Sequence, residues 1–194
     1  VAVVGDMETG EQIATWRARI NPSTFADHLA ALGEWYNWAF LVPEVNSSGL
    51  ATLYELVRLE YPVHMIYARK RHPDDRRMAT TQELGWKTTT VTRPYLISSL
   101  DRAILERSIH LRDPIIQQEC FTFIINRDGK PTAQGGCHDD CVIATALMVI
   151  GIEQAPREAR QYTKGDGRPA DPGKEYQPYS YRQTAIPHER DDYY

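Results

Sequence analysis

The chain has little sulfur, no long apolar run and no phosphate-binding glycine loop, and each lack narrows what it can be. Its three cysteines, Cys120, Cys137 and Cys141, are an odd, sparse set for 194 residues, which points to reduced thiols in an intracellular setting and not to a disulfide framework. Cys137 and Cys141 flank His138, but no second CxxC completes the four ligands of a structural zinc site. No apolar run approaches the roughly 20 residues that cross a bilayer, so no membrane role is expected. The opening Val1-Ala2-Val3-Val4 has no basic n-region and is not a signal peptide. No GxxxxGK[ST] loop occurs, so no ATPase site is expected within this stretch. Internal repeats and low-complexity runs are also missing.

What is present is enough for one packed domain. The length suits one domain, and a hydrophobic content of 42% supports a core with a polar shell. The net charge is −4 and the pI about 5.9, which does not advertise nucleic-acid binding. Clustered carboxylates lower the total, however, without excluding a local basic groove.

Taken in order, Val1–Gly5 reads as a β-strand, 6–10 as a turn and 11–20 as its hairpin partner. Asn21 and Pro22 start a helix with Phe25, Leu29, Leu32, Trp35 and Tyr36 as its apolar stripe. The run Trp38-Ala39-Phe40-Leu41-Val42 predicts a strand buried on both faces. A helix carrying Leu50, Leu53, Tyr54, Val57 and Leu59 follows, then a strand over 61–67. Residues 69–77 form a charged loop in which Arg69, Lys70, Arg71, Arg76 and Arg77 form either a solvated surface or a phosphate-contacting edge. Pro94 begins a helix with Leu96, Ile97, Leu100, Ile104 and Leu105. Further on come a short strand over 109–111, a short helix over 114–119, a strand over 121–126 and the turn Arg127-Asp128-Gly129-Lys130. The sum is a mixed α/β domain with a central sheet.

From Gln154 the composition shifts to Pro, Gly, Tyr and mixed charge. Six of the eleven tyrosines lie there and Ile186 is its one long aliphatic. Such a stretch cannot build a core. The expected organisation is therefore a domain over 1–153 and a Pro/Gly/Tyr-rich tail over 154–194.

The chemistry concentrates in Gly135-Gly136-Cys137-His138-Asp139-Asp140 and the apolar helix after it. Apolar residues at 142, 143, 146, 147 and 150 mark one buried helix face. On local grounds Asp139 is an N-cap. A cap does not account for two adjacent carboxylates pressed against an apolar helix, which call for a compensating cation. Glu44, just past the end of the predicted 38–42 strand, is a second acid of this kind. Strand ends on open α/β sheets are where sites assemble, and carboxylates gathered there bind hard divalent cations.

The order Glu44-x-Asn46-x-x-Gly49, then Leu84-Gly85-Trp86-Lys87-Thr88 with Thr92-Arg93-Pro94, then Gly136-Cys137-His138-Asp139-Asp140 resembles the C-terminal nuclease domain of large terminase subunits. These are the DNA-packaging motors of tailed phages. The likeness covers about residues 1–153. It implies a ribonuclease H-like fold and two Mg²⁺ or Mn²⁺ ions that cut concatemeric double-stranded DNA by phosphodiester hydrolysis in the host cytoplasm. Glu44, Asp139 and Asp140 become the metal-binding acids, with His138 beside them as a catalytic residue. Lys87, Arg93, Arg69, Lys70 and Arg71 become DNA contacts. The family's first acid lies on a strand preceding the hairpin. Val1–Asp6 matches the second strand, so that first strand, an ATPase domain and a longer protein are expected upstream of Val1. Asp6, in the hairpin turn, does not inherit the role. Small terminase and portal are the further partners implied. Two other readings compete. One is another ribonuclease H-like nuclease, of resolvase, integrase or transposase type. The other is a non-catalytic module that docks on the portal.

Overall fold

The computed structural model describes residues 1–69, 83–127, 129 and 131–156. The expected DNA contacts Lys70 and Arg71, the turn residues Asp128 and Lys130, and the tail from 157 onward lie outside the described residues.

The hairpin forms as expected. β1 (Ala2–Gly5) pairs antiparallel with β2 (Gln12–Trp16). Asp6 closes its turn by accepting the backbone N–H groups of Glu8 and Thr9, each at 2.8 Å. α1 (Pro22–Trp35) starts where Asn21 caps it, its Oδ1 accepting from Thr24 N–H at 2.8 Å. Ala26 and Gly33 face inward, while Trp35 is 77% exposed and leaves the expected stripe. Gly33 admits the Tyr61 ring, since a Cβ there would stand 2.3 Å from its hydroxyl oxygen.

Residues 38–42 do not form the doubly buried strand that their apolar run predicts. The chain turns at Asn37 and Trp38, both with positive φ, and the segment that follows is half-buried. It makes single parallel bridges, Leu41 to Ile66 and Glu44 to Trp86. Its backbone nevertheless runs a real ladder. Leu41 N–H donates to Met65 O, Tyr67 N–H to Leu41 O, Val45 N–H to Trp86 O and Trp86 N–H to Pro43 O, at 2.7–2.8 Å. Apolar content predicted burial, but the neighbouring segments pair with it too briefly to build a continuous sheet. Over 61–67, where a strand is expected, the chain forms a 3₁₀ turn at Val63–Met65 and a single bridge at Ile66.

α2 (Gly49–Arg58) buries Thr52, Leu53 and Leu56, while Leu50, Tyr54 and Val57 are exposed. The expected face is therefore rotated. Thr52 can turn inward because its hydroxyl donates to Pro22 O at 3.3 Å. β3 (Ala68–Arg69) pairs with β4 (Glu83–Leu84). α3 (Thr92–Leu105) buries Leu96, Ser99, Leu100 and Ala103, but Ile104 and Leu105 face outward. Over 109–111 only one bridge forms, His110 to Glu11. α4 (Pro114–Phe121) is capped by Asp113 and runs through Phe121, which is 87% exposed and does not start the next strand. That strand, β5 (Phe123–Ile125), pairs with β6 (Pro131–Ala133).

α5 (Asp140–Gln154) is the central pillar. It is buried nearly all round, from Cys141 to Ile150, and not on one face alone. α3 packs along it, and Val3, Phe40 and Val42 join the core it organises. A second core gathers Ala26, Leu53, Leu56, Tyr61, Met65 and Ile66 between α1, α2 and the 61–66 segment, and Phe40 packs against both. The molecule is thus a mixed α/β domain in which, among the described residues, the strands pair as three separate two-stranded antiparallel sheets. Among the described residues no helix is long and apolar enough to cross a membrane.

Candidate active site

Glu44 is placed by three local devices, each legible as chemistry. The Asn46 amide acts as a surrogate strand: Nδ2 donates to Thr88 O at 2.7 Å and Oδ1 accepts from Thr88 N–H at 2.8 Å. Gly49 lies on the Glu44 carbonyl, where a Cβ would stand 1.9 Å from the oxygen. Gly85 adopts φ +77°, a conformation glycine accepts without strain, and a Cβ there would stand 2.2 Å from Val45 Cγ1 and 2.9 Å from Pro43 O. The spacing Glu44-x-Asn46-x-x-Gly49 and the segment Leu84–Thr88 therefore belong to one construction, the loop that carries Glu44.

Thr89 and Thr92 do similar work for Arg93. Thr89 Oγ1 accepts from Val91 N–H at 3.2 Å and Thr92 N–H at 3.1 Å, satisfying donors at the start of α3. Thr92 Oγ1 donates to Lys87 O at 2.7 Å. Arg93 then projects from the first turn and donates from Nη2 to Asp139 Oδ2 at 2.7 Å.

Asp139 occupies the N-cap position of α5, but its side chain makes no capping hydrogen bond. The local expectation of a simple cap is corrected here: the carboxylate faces Arg93 instead. A different acid takes the vacant duty. Glu119 of α4, only 8% exposed, accepts from Cys141 N–H through Oε2 at 2.8 Å. Its Oε1 stands 3.6 Å from Arg17 Nη2. Burial first, and then the Glu119 carboxylate beside it, push the Cys141 thiol up to about 11. Nothing in the sequence singles out Glu119, because a glutamate on a short helix ordinarily faces solvent.

Glu44, Arg93 and Asp139 share one cleft of about 990 Å³. It opens between β1 and the 39–44 segment, with α5 as its floor through Ile143, Leu147 and Met148. Glu44, Arg93, His138, Asp139 and Asp140 all line it. His138 and Asp140 are exposed, while Glu44 and Asp139 are half-buried. Asp6 reaches the same cleft, but its Oδ1 is spent on the hairpin turn, and hydrogen bonds led by the Thr9 backbone hold its carboxyl below the usual range. Lys87 is exposed outside the cleft lining. Arg69 is tied to Glu83 across β3 and β4, also away from the cleft lining.

The donors are of the right kind for a hard divalent cation: carboxylate oxygens at element ends. Their geometry does not close on one. Among the described residues no three His, Cys, Asp or Glu side chains stand close enough to hold a metal ion. The Arg93 guanidinium takes the cationic place beside Asp139 instead. Cys137 is exposed and Cys141 buried, and among the described residues no three-ligand group for the zinc alternative forms around them.

No family model matches the chain. No curated protein matches it. Among solved structures, the large terminase nuclease of the thermophilic phage G20c, determined with bound cobalt, matches at a TM-score of 0.59. The two chains are 22% identical, and the match covers 76% of this chain and 72% of that one. The chain shares the mixed α/β fold of that nuclease.

Proposed function

We propose that the chain is the nuclease domain of a tailed-phage large terminase subunit, a divalent-metal-dependent endonuclease that cuts concatemeric double-stranded DNA during packaging. One observation carries this reading. Glu44 and the His138-Asp139-Asp140 set, remote in sequence, line the same cleft. The fold shared with a nuclease solved with cobalt supports it.

Glu44, Asp140 and Asp139 are the residues that would hold two Mg²⁺ or Mn²⁺ ions. The chemistry such ions supply is water activation and neutralisation of charge on the scissile phosphate. The chain's own residues do the rest. Arg93 exchanges Asp139 for a DNA phosphate oxygen, which a guanidinium fork fits well. His138, exposed at the cleft, is suited to shuttle a proton. Lys87 and Arg69 are further basic residues for the duplex, as are Lys70 and Arg71 by residue type. In the packaging motor this domain works with an ATPase domain, a small terminase and the portal.

Incubation with supercoiled plasmid tests the proposal. Nicked and linear products in Mn²⁺ or Mg²⁺, lost in EDTA and reduced more than about a hundredfold in Asp140→Ala, are expected. Cutting confined to branched DNA or RNA hybrids points to a resolvase-type enzyme of the same fold. No metal-dependent cutting, together with portal binding, identifies a docking module.

A further inference from the structure

The N-terminus of α5 carries an arrangement that the nuclease reading does not require. Helix starts leave backbone N–H groups unpaired, and an aspartate at the N-cap ordinarily satisfies one of them. Asp139 holds that position and does not do so. Glu119, from another helix and nearly buried, does it by accepting from Cys141 N–H at 2.8 Å. Its own position is fixed from behind. Buried Gln12 of β2 accepts from both Arg112 N–H and Asp113 N–H at 2.8 Å, anchoring the start of α4. Arg17, just past β2, stands 3.6 Å from the second carboxylate oxygen.

We infer that Glu119 is a positioning residue: it caps α5 in place of Asp139 and so keeps Asp139 turned toward Arg93 and the cleft. The inference concerns the residues that the proposed function makes metal ligands, and to that extent it rests on it. The physical logic is competition for one carboxylate. When the external cap is lost, the α5 N-terminus attracts the nearest anion through its dipole and its free N–H groups. Asp139 is already at the capping position and folds back onto the helix. Arg93 then loses its partner, and the cleft loses an acid.

Two variants separate the cap from the charge. Glu119→Gln keeps an acceptor oxygen and removes the negative charge. Glu119→Ala removes both. Titration of each full chain with Mn²⁺ by calorimetry is expected to show Glu119→Ala weakened at least about fivefold and Glu119→Gln within about twofold of the parent, the loss of one cap interaction. Equal weakening of the two variants, or none, overturns the inference.

Thermal melts supply a readout that needs no metal. In the Glu119→Ala background Asp139 has become the cap, so adding Asp139→Ala is expected to lower Tm by about 2–4 °C more than the same change does in the parent. The same Asp139→Ala cost in both backgrounds overturns the inference. If the parent chain binds no Mn²⁺, the metal-site reading fails by itself and the melts alone decide the role of Glu119.

Discussion

Arg93, in the first turn of α3, and Asp139, the residue before α5, form a half-exposed ion pair inside the cleft, Nη2 to Oδ2 at 2.7 Å. The pair joins the start of α3 to the start of α5. It also places a fixed cation where the proposed function puts a divalent one, so metal and arginine compete for the same carboxylate.

That competition has a measurable sign. Removing the guanidinium in Arg93→Ala frees Asp139, and Mn²⁺ affinity is expected to rise by up to about fivefold, the range of a partly exposed ion pair. Duplex DNA affinity falls in the same variant, because a phosphate contact is lost. Calorimetry for the metal and fluorescence anisotropy for the DNA check the two halves. Weaker Mn²⁺ binding in Arg93→Ala shows that the arginine supports the metal site and does not compete with it.

Asn46 supplies the next test. Its two hydrogen bonds to Thr88 are worth roughly 1–3 kcal/mol together. Asn46→Ala is therefore expected to lower Tm by about 2–10 °C and to weaken Mn²⁺ binding by loosening the loop that carries Glu44. An unchanged Tm shows that the bridge to Thr88 carries no net stability.

Gly49 tests the same loop from the other side. Its φ is not in the left-handed region, so the argument is purely steric: a Cβ would stand 1.9 Å from Glu44 O. Gly49→Ala is expected to cost at least about 1–3 kcal/mol, the usual penalty of overpacking. Urea unfolding should show a lower midpoint with an unchanged slope. A midpoint equal to the parent's contradicts the close approach.

The thiols give a prediction in pH. Cys137 is exposed, Cys120 is half-buried and Cys141 is buried. Burial raises Cys120, and burial together with Glu119 raises Cys141 to about 11. At pH 8, then, a thiol reagent should modify Cys137 rapidly and Cys141 only on unfolding. The sign for stability follows. A folded-state pKa raised above the ordinary 9.0 leaves the neutral thiol's contribution intact below pH 9 and removes it progressively between 9 and about 11. Cys141→Ser should flatten that loss in melts taken across the same range. Rapid labelling of Cys141 in the folded chain contradicts the account.

Much of this was legible from residue types alone. Asn21-Pro22 announced a helix start because caps and N1 prolines act locally. The hairpin and the Glu44 and His138-Asp139-Asp140 motifs were also visible in the sequence. What failed depended on distant partners. The 38–42 run looked like a buried strand, but positive φ at Asn37 and Trp38 and short neighbours left it half-buried. The α2 face was misread because Thr52 finds an acceptor in Pro22 O and goes inside while Tyr54 goes out. Glu119 was invisible because its role exists only once α4 lies against the start of α5.

The central claim is that Glu44 and Asp140 belong to one cation-binding site. Crystals soaked in Mn²⁺ and measured at the manganese absorption edge test it most directly. The account predicts anomalous density in the cleft, in contact with the carboxylates of both Glu44 and Asp140. Manganese bound elsewhere, or a cleft without density at a concentration that saturates the protein in solution, contradicts it.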